Sequence, residues 1–365
     1  MKFSVAKDKL LEGLQTVQNV VGSRTTLPIL SNVLIRAEEG VLRLTTNDLD
    51  VGISCEVPAQ VERGGGTTLP VRRLSGIVKE LPAADVMVEV DGKNVATIRC
   101  GQTLFKMNGL AEEEFPALPR LADAKVFTLK QKELKDGLRK TSYAISTDET
   151  RYVLNGILFA FKENKLTMVA TDGRRLALVD IENIEFPRSQ EVDIIIPAKC
   201  IGELQRLVSD EGELKMTVGE NQVSFEVNGK LLVSKLIEGN YPNYRQVIPA
   251  EPKERVTIER GLLFDAVRRV SLLSSDKSNS IKLNFGKNNL EITANTPEIG
   301  EAHEDMAVNY KGKEMSIAFN PQFLQDPLRN LIEEEVHFEL IDEMSPGVLK
   351  VGSPFLYVLM PMRIS

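Results

Sequence analysis

The chain has 365 residues, of which 42% are hydrophobic and 27% charged, and its formal net charge is −7. This composition is ordinary for a globular protein of two or three domains and excludes collagen-like, low-complexity and membrane-spanning chains. Three cysteines without a Cys-x-x-Cys pair argue against a disulfide framework. With no apolar signal segment after Met1, they favour a cytoplasmic protein.

Three stretches of the chain share one pattern, a short strand followed by a helix and later by a strand that ends in small polar residues. The three copies run from Phe3 to Asp48, from Phe127 to Asp172 and from Val256 to Thr296. A repeat of roughly 120 to 130 residues predicts three similar domains. We expect these domains at 1–120, 126–247 and 254–365, joined by linkers rich in proline and charge.

Each repeat is predicted to contain two amphipathic helices, because apolar residues recur at three- and four-residue spacing. The first helices cover Leu10–Val21, Leu134–Ile145 and Leu262–Leu273. The second helices follow a proline near their first turn and cover Leu74–Leu81, Ile201–Val208 and Phe323–Ile332. Pro327 lies inside the last of these, and we expect it to kink or shorten that helix.

The remaining sequence alternates between apolar and polar residues with a period of two, as in Val86–Val90 and Val223–Val227. Asp91-Gly92 and Asn228-Gly229 predict hairpin turns between such strands. Each repeat is therefore predicted to be antiparallel sheet with two helices on one face, which places the protein in the α+β class.

Catalytic motifs are absent from the sequence. It contains no G-x-S-x-G, H-E-x-x-H or Walker pattern, and its two histidines are not at ligand spacing. Asp48 and Asp172 hold equivalent places in two repeats and would bind a metal if they faced each other. Turn capping through their own backbone is the simpler interpretation. We predict no enzyme activity, no cofactor and no metal; a metal-dependent enzyme using these two carboxylates is the least favoured alternative.

Positive charge is concentrated on the predicted helices of this acidic chain. It includes Arg73, Lys79, Lys135, Arg139 and Lys199. A single charged helix face is usually just solvated, but several equivalent basic helices favour a shared surface that faces a polyanion. The chain lacks Trp and any dense mixture of aromatic and basic residues, so base stacking is not expected. Contacts to duplex phosphates without base reading fit better.

Several motifs match one known family. They are Met1-Lys2-Phe3, Thr26–Asn32, Arg151–Gly156, Ala170–Leu176, Ser234–Leu236 with Tyr241–Arg245, and Met360–Arg363. On these residues the chain resembles, from end to end, the bacterial sliding clamp, the β subunit of DNA polymerase III. The resemblance implies a DNA-clamp fold of three tandem, structurally similar domains, each with two helices plus antiparallel sheets. It also implies a head-to-tail homodimer that closes a ring of six domains.

The function that the resemblance implies is not catalytic. The ring would encircle double-stranded DNA without sequence preference, and it would tether the replicative DNA polymerase and other proteins with clamp-binding motifs after a clamp loader opens it. Six domains with two helices each give twelve lining helices. At about 10 Å per helix the ring would have a hole of roughly 28 Å, which passes a duplex. A protein-interaction scaffold that does not encircle DNA is the main alternative.

The resemblance also assigns residues to a groove for partner peptides. These are Leu154, Thr171, Gly173, Arg174, Arg175, Leu176, Pro242, Val247, Asn320, Met344, Pro346, Val358, Met360, Pro361, Met362 and Arg363. A mostly apolar groove with a few polar anchors suits a short peptide. Gln246 and Ser278 stand where the family usually has a basic and an aromatic residue, so the rim of the groove is expected to differ.

Two further sets of residues concern DNA and the ring joint. Arg24 and Tyr152 match family positions that contact DNA, in addition to the five basic residues on the helices. Val153 replaces an aromatic residue that is frequent there, which weakens the expected contact. Phe105 and Met107 of one protomer are expected to meet Leu272 and Leu273 of the other, in a heterologous interface that closes by rotation.

Overall fold

The structure, a computed structural model, describes residues 1–22, 27–119, 121, 124–249, 251–274, 279–297, 299–352 and 354–363. The chain forms two compact units. Unit 1 comprises Met1–Lys132 and Lys199–Leu236, and unit 2 comprises Glu133–Ala198 and Ile237–Ser365. Each unit therefore contains one terminal repeat and part of the middle repeat.

Two α-helices occur in each repeat, as the apolar spacing predicts. The helices α1 to α6 are Lys7–Val17, Val71–Glu80, Gln131–Thr141, Ala198–Leu207, Arg260–Val270 and Pro321–Asn330. The helix α1 ends four residues earlier than predicted, although Val20 and Val21 beyond its end are still buried in the core. The hydroxyl of Thr46 donates to the carbonyl oxygen of Val17 at 2.6 Å and so satisfies an acceptor at that helix end. None of the helices in the described ranges is long and apolar enough to cross a membrane.

The strands are short and antiparallel. In chain order β1 to β25 are Lys2–Ala6, Asn32–Glu38, Val41–Asn47, Val51–Pro58, Gln60–Arg63, Gly65–Pro70, Asp85–Val90, Val95–Cys100, Thr103–Asn108, Lys125–Lys130, Gly156–Lys162, Lys165–Thr171, Arg175–Ile181, Val192–Pro197, Glu213–Val218, Gln222–Val227, Lys230–Lys235, Glu254–Glu259, Ile281–Gly286, Asn289–Thr296, Gly300–Ala307, Met315–Phe319, Glu335–Leu340, Gly347–Lys350 and Phe355–Leu359. Asn228 and Gly229 have φ of +51° and +71°, as expected for the tight hairpin between β16 and β17.

Unit 1 contains two sheets. One has the strand order β5-β1-β7-β8-β9 and the other the order β10-β15-β16-β17-β4-β3-β2-β6. The larger sheet is continuous from the first repeat to the middle repeat because β4 pairs with β17, from Val51 opposite Ser234 to Cys55 opposite Lys230. The helix α1 packs on β3 and β4 through Leu10, Leu14 and Val17, which are buried.

Unit 2 repeats this arrangement with different strands. Its sheets have the orders β14-β11-β12-β13-β25-β24-β23-β18 and β21-β20-β19-β22. Here β13 of the middle repeat pairs with β25 of the last repeat, from Arg175 opposite Leu359 to Val179 opposite Phe355. The helix α5 packs on β20 and β21, and it also packs on α6. The expected α+β architecture of helices layered on antiparallel sheet is confirmed.

Pro327 does not shorten its helix, so that part of the prediction is wrong. The helix α6 has 10 residues, as α2 and α4 do, and Pro327 lies within it. A proline has no N–H to donate to the carbonyl four residues earlier, which here belongs to Phe323. The hydroxyl of Tyr357 on β25, a fully buried side chain, donates to that oxygen at 2.8 Å. A side chain from the sheet therefore replaces the missing helical hydrogen bond.

Candidate functional site

The turn between β12 and β13 carries several residues assigned to the partner groove. It is capped by Asp172, whose Oδ1 accepts hydrogen bonds from the backbone N–H of Arg174 at 2.9 Å and of Arg175 at 3.1 Å. Gly173 has φ +84°, a left-handed conformation that costs glycine little. The hydroxyl of Thr171 donates to the carbonyl oxygen of Arg175 at 2.6 Å and closes the turn. Asp172 is thus a turn-capping residue, as the simpler interpretation predicts.

Arg175 is nearly buried, with 10% of its side chain exposed. Its Nε donates to Oδ2 of Asp172 at 3.0 Å, its Nη2 donates to the carbonyl oxygen of Tyr143 at 2.6 Å, and its Nη1 pairs with Asp326. The guanidinium carbon lies 4.4 Å from the centroid of the Phe323 ring, which is cation–π geometry. Arg175 was predicted to contact the peptide directly, but its guanidinium group already donates hydrogen bonds to its own chain. No local sequence pattern indicates Tyr143 and Asp326 as its partners.

The segment that follows β25 lies beside this turn. The backbone N–H of Met360 donates to the carbonyl oxygen of Arg174 at 3.0 Å, and the N–H of Met362 donates to that of Ala318 at 2.8 Å. Pro361 between them is half-buried, and Arg363 is exposed. One backbone hydrogen bond thus joins Met360 to the turn, and a second joins Met362 to β22.

Buried apolar residues form the floor of this region. Leu176 lies opposite Val358 in the β13–β25 pair, and both belong to one core cluster. The other buried members are Leu158, Ala160, Val169 and Ile195. Tyr241 and Tyr244 of the segment after β17 pack against this cluster, and Leu154 is also buried. Burial raises the pKa of the Tyr241 phenol above its ordinary value, so the phenol is uncharged at neutral pH.

The other assigned groove residues lie nearer the surface. Pro242 and Val247 are exposed, and Met344 has an exposed fraction of 68%. Asn320 caps α6 by accepting a hydrogen bond from the N–H of Gln322 at 2.9 Å, and Pro346 is half-buried. Of the two departures from the family pattern, Gln246 is exposed, whereas Ser278 lies outside the described residues. Met344 and Met360 are thus two exposed methionines among the residues assigned to the groove, and methionine side chains adapt readily to an apolar partner.

The helix α2 carries Arg73 and Lys79, two of the residues predicted to face DNA. Val71, Leu74, Ser75 and Val78 form the buried side of this helix. Arg73 and Lys79 lie on its exposed side. Arg24, the other candidate of the first repeat, lies outside the described residues. Both of these candidates of the first repeat are therefore accessible on one helix, and so is their neighbour Arg72.

Lys199 on α4 is not a free cation. Its Nζ donates to the carbonyl oxygen of Val20 at 2.7 Å and pairs with the carboxylate of Asp48. The other oxygen of Asp48 accepts hydrogen bonds from the N–H groups of Asp50 and Val51 at 3.1 Å and 2.8 Å. The predicted DNA contact at Lys199 is weakened, because its charge already stabilises a turn within unit 1.

The basic residues on α3 are also engaged in part. Arg139 donates to the carbonyl oxygen of Asn330 at 2.5 Å and pairs with Asp136 on its own helix. Lys140, the next residue, is buried and pairs with Glu333 at 2.9 Å. Lys135 is half-buried. The positive charge of α3 therefore contributes to the packing of unit 2, which reduces the charge left for phosphates.

Tyr152 is accessible, with an exposed fraction of 58%. Its neighbour Val153, which stands where an aromatic residue was expected, packs against the apolar cluster that includes Leu176 and Val358. Arg151, which the site prediction did not include, donates from Nη1 to the carbonyl oxygen of Asp172 at 2.9 Å. Its Nε also pairs with Asp148 at 2.9 Å. The segment with the predicted DNA contact is thus tied to the groove turn.

The residues predicted for the ring joint lie in two different units. Phe105 is exposed and Met107 is half-buried on β9, an edge strand of the five-stranded sheet. Leu272 has an exposed fraction of 79%, and Leu273 beside it is half-buried, in the 3-10 turn after α5. The strand β21 is an edge of the four-stranded sheet of the same unit.

The described residues offer little for catalysis. Within the described ranges, no three His, Cys, Asp or Glu side chains are grouped so that they could hold a metal ion. All three cysteines are buried free thiols, and burial raises the pKa of Cys55 to about 11 and that of Cys200 to about 12. A thiol with such a pKa is not a nucleophile at neutral pH.

Comparisons with known proteins agree on one family. Models of the N-terminal, central and C-terminal domains of the DNA polymerase III beta subunit match residues 1–119, 128–243 and 245–363. The beta sliding clamp of Escherichia coli (strain K12) is 35% identical over 369 residues, and the match covers 100% of both chains. That of Chlamydia muridarum is 36% identical over 364 residues, with 100% of this chain and 99% of the relative covered.

Solved structures give the same result. The DNA polymerase sliding clamp of Bacillus subtilis has a TM-score of 0.95 at 31% identity, with 100% of both chains covered. A sliding clamp of Bartonella birtlesii, solved bound to griselimycin, has a TM-score of 0.95 at 35% identity over 100% of both chains. The resemblance, the clamp fold and the absence of enzyme activity are thereby confirmed. The chain belongs to the DNA polymerase III beta subunit family, the beta sliding clamps, which are non-catalytic processivity factors that bind DNA and its polymerase.

Proposed function

We propose that two copies of this chain close head to tail into a ring around duplex DNA in the cytoplasm. We further propose that the groove beside the Asp172 turn binds peptides of the replicative polymerase, of the clamp loader and of other replication and repair proteins. The observation that carries this proposal is the whole-chain match to solved sliding clamps, together with a buried apolar cluster in unit 2 that has the exposed residues Arg174 and Met360 beside its members Leu176 and Val358.

The ring joint is supported by open strand edges. Among the described residues, β9 pairs with β8 alone and β21 with β20 alone. Unpaired edges are usually blunted or covered, because they otherwise recruit another chain. Lys106 on β9 and Glu301 on β21 give the two edges opposite charges. Pairing of β9 with β21 of the partner, with Phe105 near Leu272, would join the protomers and close the ring.

The DNA-facing role is supported by Arg73, Lys79 and Tyr152, which are exposed. Lys199 and Arg139 contribute less, because their charges are paired within the chain. Weak contacts suffice, since a closed ring is retained by topology and has to slide. Phosphate contacts of this kind weaken as salt rises, whereas retention by topology does not depend on salt.

The peptide-binding role is supported by the chemistry of the groove. Leu176 and Val358 supply a buried apolar floor, and Met344 and Met360 supply exposed apolar side chains. Arg174 and Arg363 are exposed cations at the rim. This combination suits a short apolar segment whose binding is guided by charge.

Two measurements test the ring. Native mass spectrometry is expected to give a mass of twice 40.5 kDa, and Phe105→Asp is expected to shift this mass to the monomer. Val126→Asp is the matched control, because Val126 is also an exposed apolar residue on an edge strand, β10, but is not assigned to the joint. A monomer of the unaltered chain would contradict the proposed ring.

Retention on DNA tests encirclement. After loading, the protein is expected to stay on a nicked circular plasmid at high salt and to leave once the plasmid is linearised. Arg73→Glu with Lys79→Glu is expected to slow loading. Equal retention on circular and linear DNA, with no effect of the two reversals, would instead support a scaffold that does not encircle DNA.

A further inference from the structure

Two consecutive arginines of the groove turn have very different surroundings. Arg174 is exposed, and its backbone groups rather than its side chain make the hydrogen bonds of the turn. Arg175 is nearly buried, and each of its three guanidinium nitrogens donates to a group of its own chain. One face of its guanidinium is covered by the ring of Phe323. The side chain of Arg174 is therefore accessible to a partner, whereas that of Arg175 is already hydrogen-bonded within its own chain.

The partners of Arg175 come from three separate elements of unit 2. Tyr143 follows α3, Asp172 lies in the turn between β12 and β13, and Asp326 lies on α6. The side chains of Asp172 and Asp326 are 17% and 14% exposed, so both carboxylates need a cation close by. A planar guanidinium with several donors can join them at once, which a lysine ammonium on its flexible stem does less well.

We propose that Arg175 is a positioning residue of the groove, which shapes the surface for the partner peptide and does not itself bind it. Arg175 fixes Asp172, and Asp172 in turn holds the N–H groups of the turn that presents Gly173 and Arg174. Through Asp326 it also holds α6, whose cap is the groove residue Asn320. The inference rests on the proposed function of the groove and assigns a distinct role within it.

A matched set of variants separates positioning from direct binding. Arg175→Lys keeps the positive charge but loses the planar fork. Asp326→Asn alters a partner of Arg175 that belongs to α6 and is not among the groove residues. Arg260→Lys is the structural control, because Arg260 also donates to two carbonyl oxygens, those of Leu328 on α6 and of Glu333 just after it, but lies outside the groove.

The probe is a fluorescein-labelled octapeptide, selected from a random library on the unaltered protein and shown by photo-crosslinking to contact Met360–Arg363. Its dissociation constant is measured by fluorescence anisotropy for each variant from low to high salt. We expect Arg175→Lys and Asp326→Asn each to weaken binding about tenfold without changing its salt dependence, and the double variant to be no weaker than either single one. Arg260→Lys is expected to lower the melting temperature without altering peptide affinity.

Amide hydrogen exchange tests the same inference without any peptide. The N–H groups of Arg174 and Met360 are expected to exchange several-fold faster in Arg175→Lys and Asp326→Asn, because the turn is less firmly held. The N–H of Asp50 in the equivalent turn of unit 1 is the internal control.

The possible results are distinct. If Asp326→Asn leaves both affinity and exchange unchanged while Arg175→Lys weakens binding, Arg175 is a direct ligand and the proposal is overturned. Unchanged exchange in both variants also overturns it. If no selected peptide crosslinks to the groove, the proposed function of the groove fails, and the exchange rates still decide whether Arg175 positions the turn.

Discussion

The turn after β3 in unit 1 and the turn after β12 in unit 2 have the same backbone. In each, an aspartate, Asp48 or Asp172, accepts hydrogen bonds from the N–H groups two and three residues later. The residue after the aspartate is left-handed in both, with φ +79° at Leu49 and +84° at Gly173. At this turn, the two copies of the sequence repeat therefore have the same backbone conformation and the same two hydrogen bonds to the aspartate.

The surroundings of the two turns differ. In unit 1 the amide of Asn47 donates to the carbonyl oxygen of Pro116 at 3.3 Å, and the side chain of Leu118 occupies the space where a Cβ on Gly52 would lie. In unit 2 the residue at the place of Gly52, four after the aspartate, is Leu176. Its side chain belongs to the buried apolar cluster beneath the proposed groove.

The cation that neutralises each aspartate also comes from a different place. Lys199 on α4 pairs with Asp48, whereas Arg175 within the turn itself pairs with Asp172. The residue that matches Arg175 in unit 1 is Val51, which is buried and apolar. In unit 1 the turn is covered by Pro116 and Leu118, which follow the first repeat in the chain. In unit 2 the equivalent turn has an accessible surface at Arg174. A few different side chains near the same turn are sufficient to make one turn covered and the other accessible.

The largest expected effect comes from removing the arginine that is specific to unit 2. Arg175→Ala leaves Asp172 and Asp326 without their cation, and we expect it to lower the free energy of unfolding by about 4 kcal/mol. Urea denaturation followed by circular dichroism measures the change. Arg174→Ala, the neighbouring control, is expected to stay within about 0.5 kcal/mol of the unaltered protein. Equal effects of the two changes would mean that the buried contacts of Arg175 carry no special weight.

The next effect concerns the closed turn of unit 1. Gly52→Ala places a methyl group against Leu118, and we expect this overpacking to lower the free energy of unfolding by about 2 kcal/mol. In a Leu118→Ala background the same change is expected to cost much less, because the space is then empty. Thermal denaturation of the four proteins in this cycle checks the prediction. A Gly52→Ala penalty that is the same in both backgrounds would show that Leu118 does not fill this space.

Much of this architecture could be predicted from local sequence patterns. Apolar spacing located the six helices, and Asn228-Gly229 located a hairpin, because helical periodicity and turn chemistry are properties of neighbouring residues. Asp48 and Asp172 were correctly interpreted as turn-capping residues for the same reason. The end of α1 was predicted too late, since Val20 and Val21 are buried beyond the helix and continue its apolar pattern.

Other features depend on contacts between distant parts of the chain. No local pattern indicates that β4 pairs with β17. Apolar and polar residues alternate in the same way in a strand whose edge is paired and in one whose edge is exposed. The charge of Lys199 and the family resemblance at Arg175 predicted surface roles, but the partners of these two residues, Asp48 and Asp326, are each 151 residues away along the sequence. The groove residues came from family resemblance, and their individual roles in binding stay predictions.

A smaller effect is expected in the helix that Arg175 contacts through Phe323. Tyr357→Phe removes the hydroxyl that donates to the carbonyl oxygen of Phe323, and we expect a loss of about 1 kcal/mol in the free energy of unfolding. Pro327→Ala restores an N–H that can donate to this oxygen within α6. The penalty of Tyr357→Phe should then shrink in the Pro327→Ala background, as measured by urea denaturation. If Tyr357→Phe costs as much in the Pro327→Ala background as in the unaltered protein, the Tyr357 hydroxyl does not substitute for the missing N–H of Pro327.

The smallest effect is expected at the accessible surface of the unit 2 turn. Arg174→Gln removes an exposed cation, and we expect about a threefold loss of affinity for an acidic partner peptide at low salt that disappears at high salt. Fluorescence anisotropy at several salt concentrations measures it. Asp50→Asn, at the matching place in the unit 1 turn, is the control and should leave affinity unchanged. A loss that persists at high salt would point to packing rather than charge.

The strand pairs that connect neighbouring repeats limit how a chain of three repeats can change during evolution. Without the first repeat β17 would lose β4, and without the last repeat β13 would lose β25, so either deletion opens a strand edge in the middle repeat. Each copy is therefore free to diverge in its turns and side chains but cannot be discarded alone. Gene duplication followed by this mutual dependence would preserve three repeats on one chain while allowing a single copy to specialise.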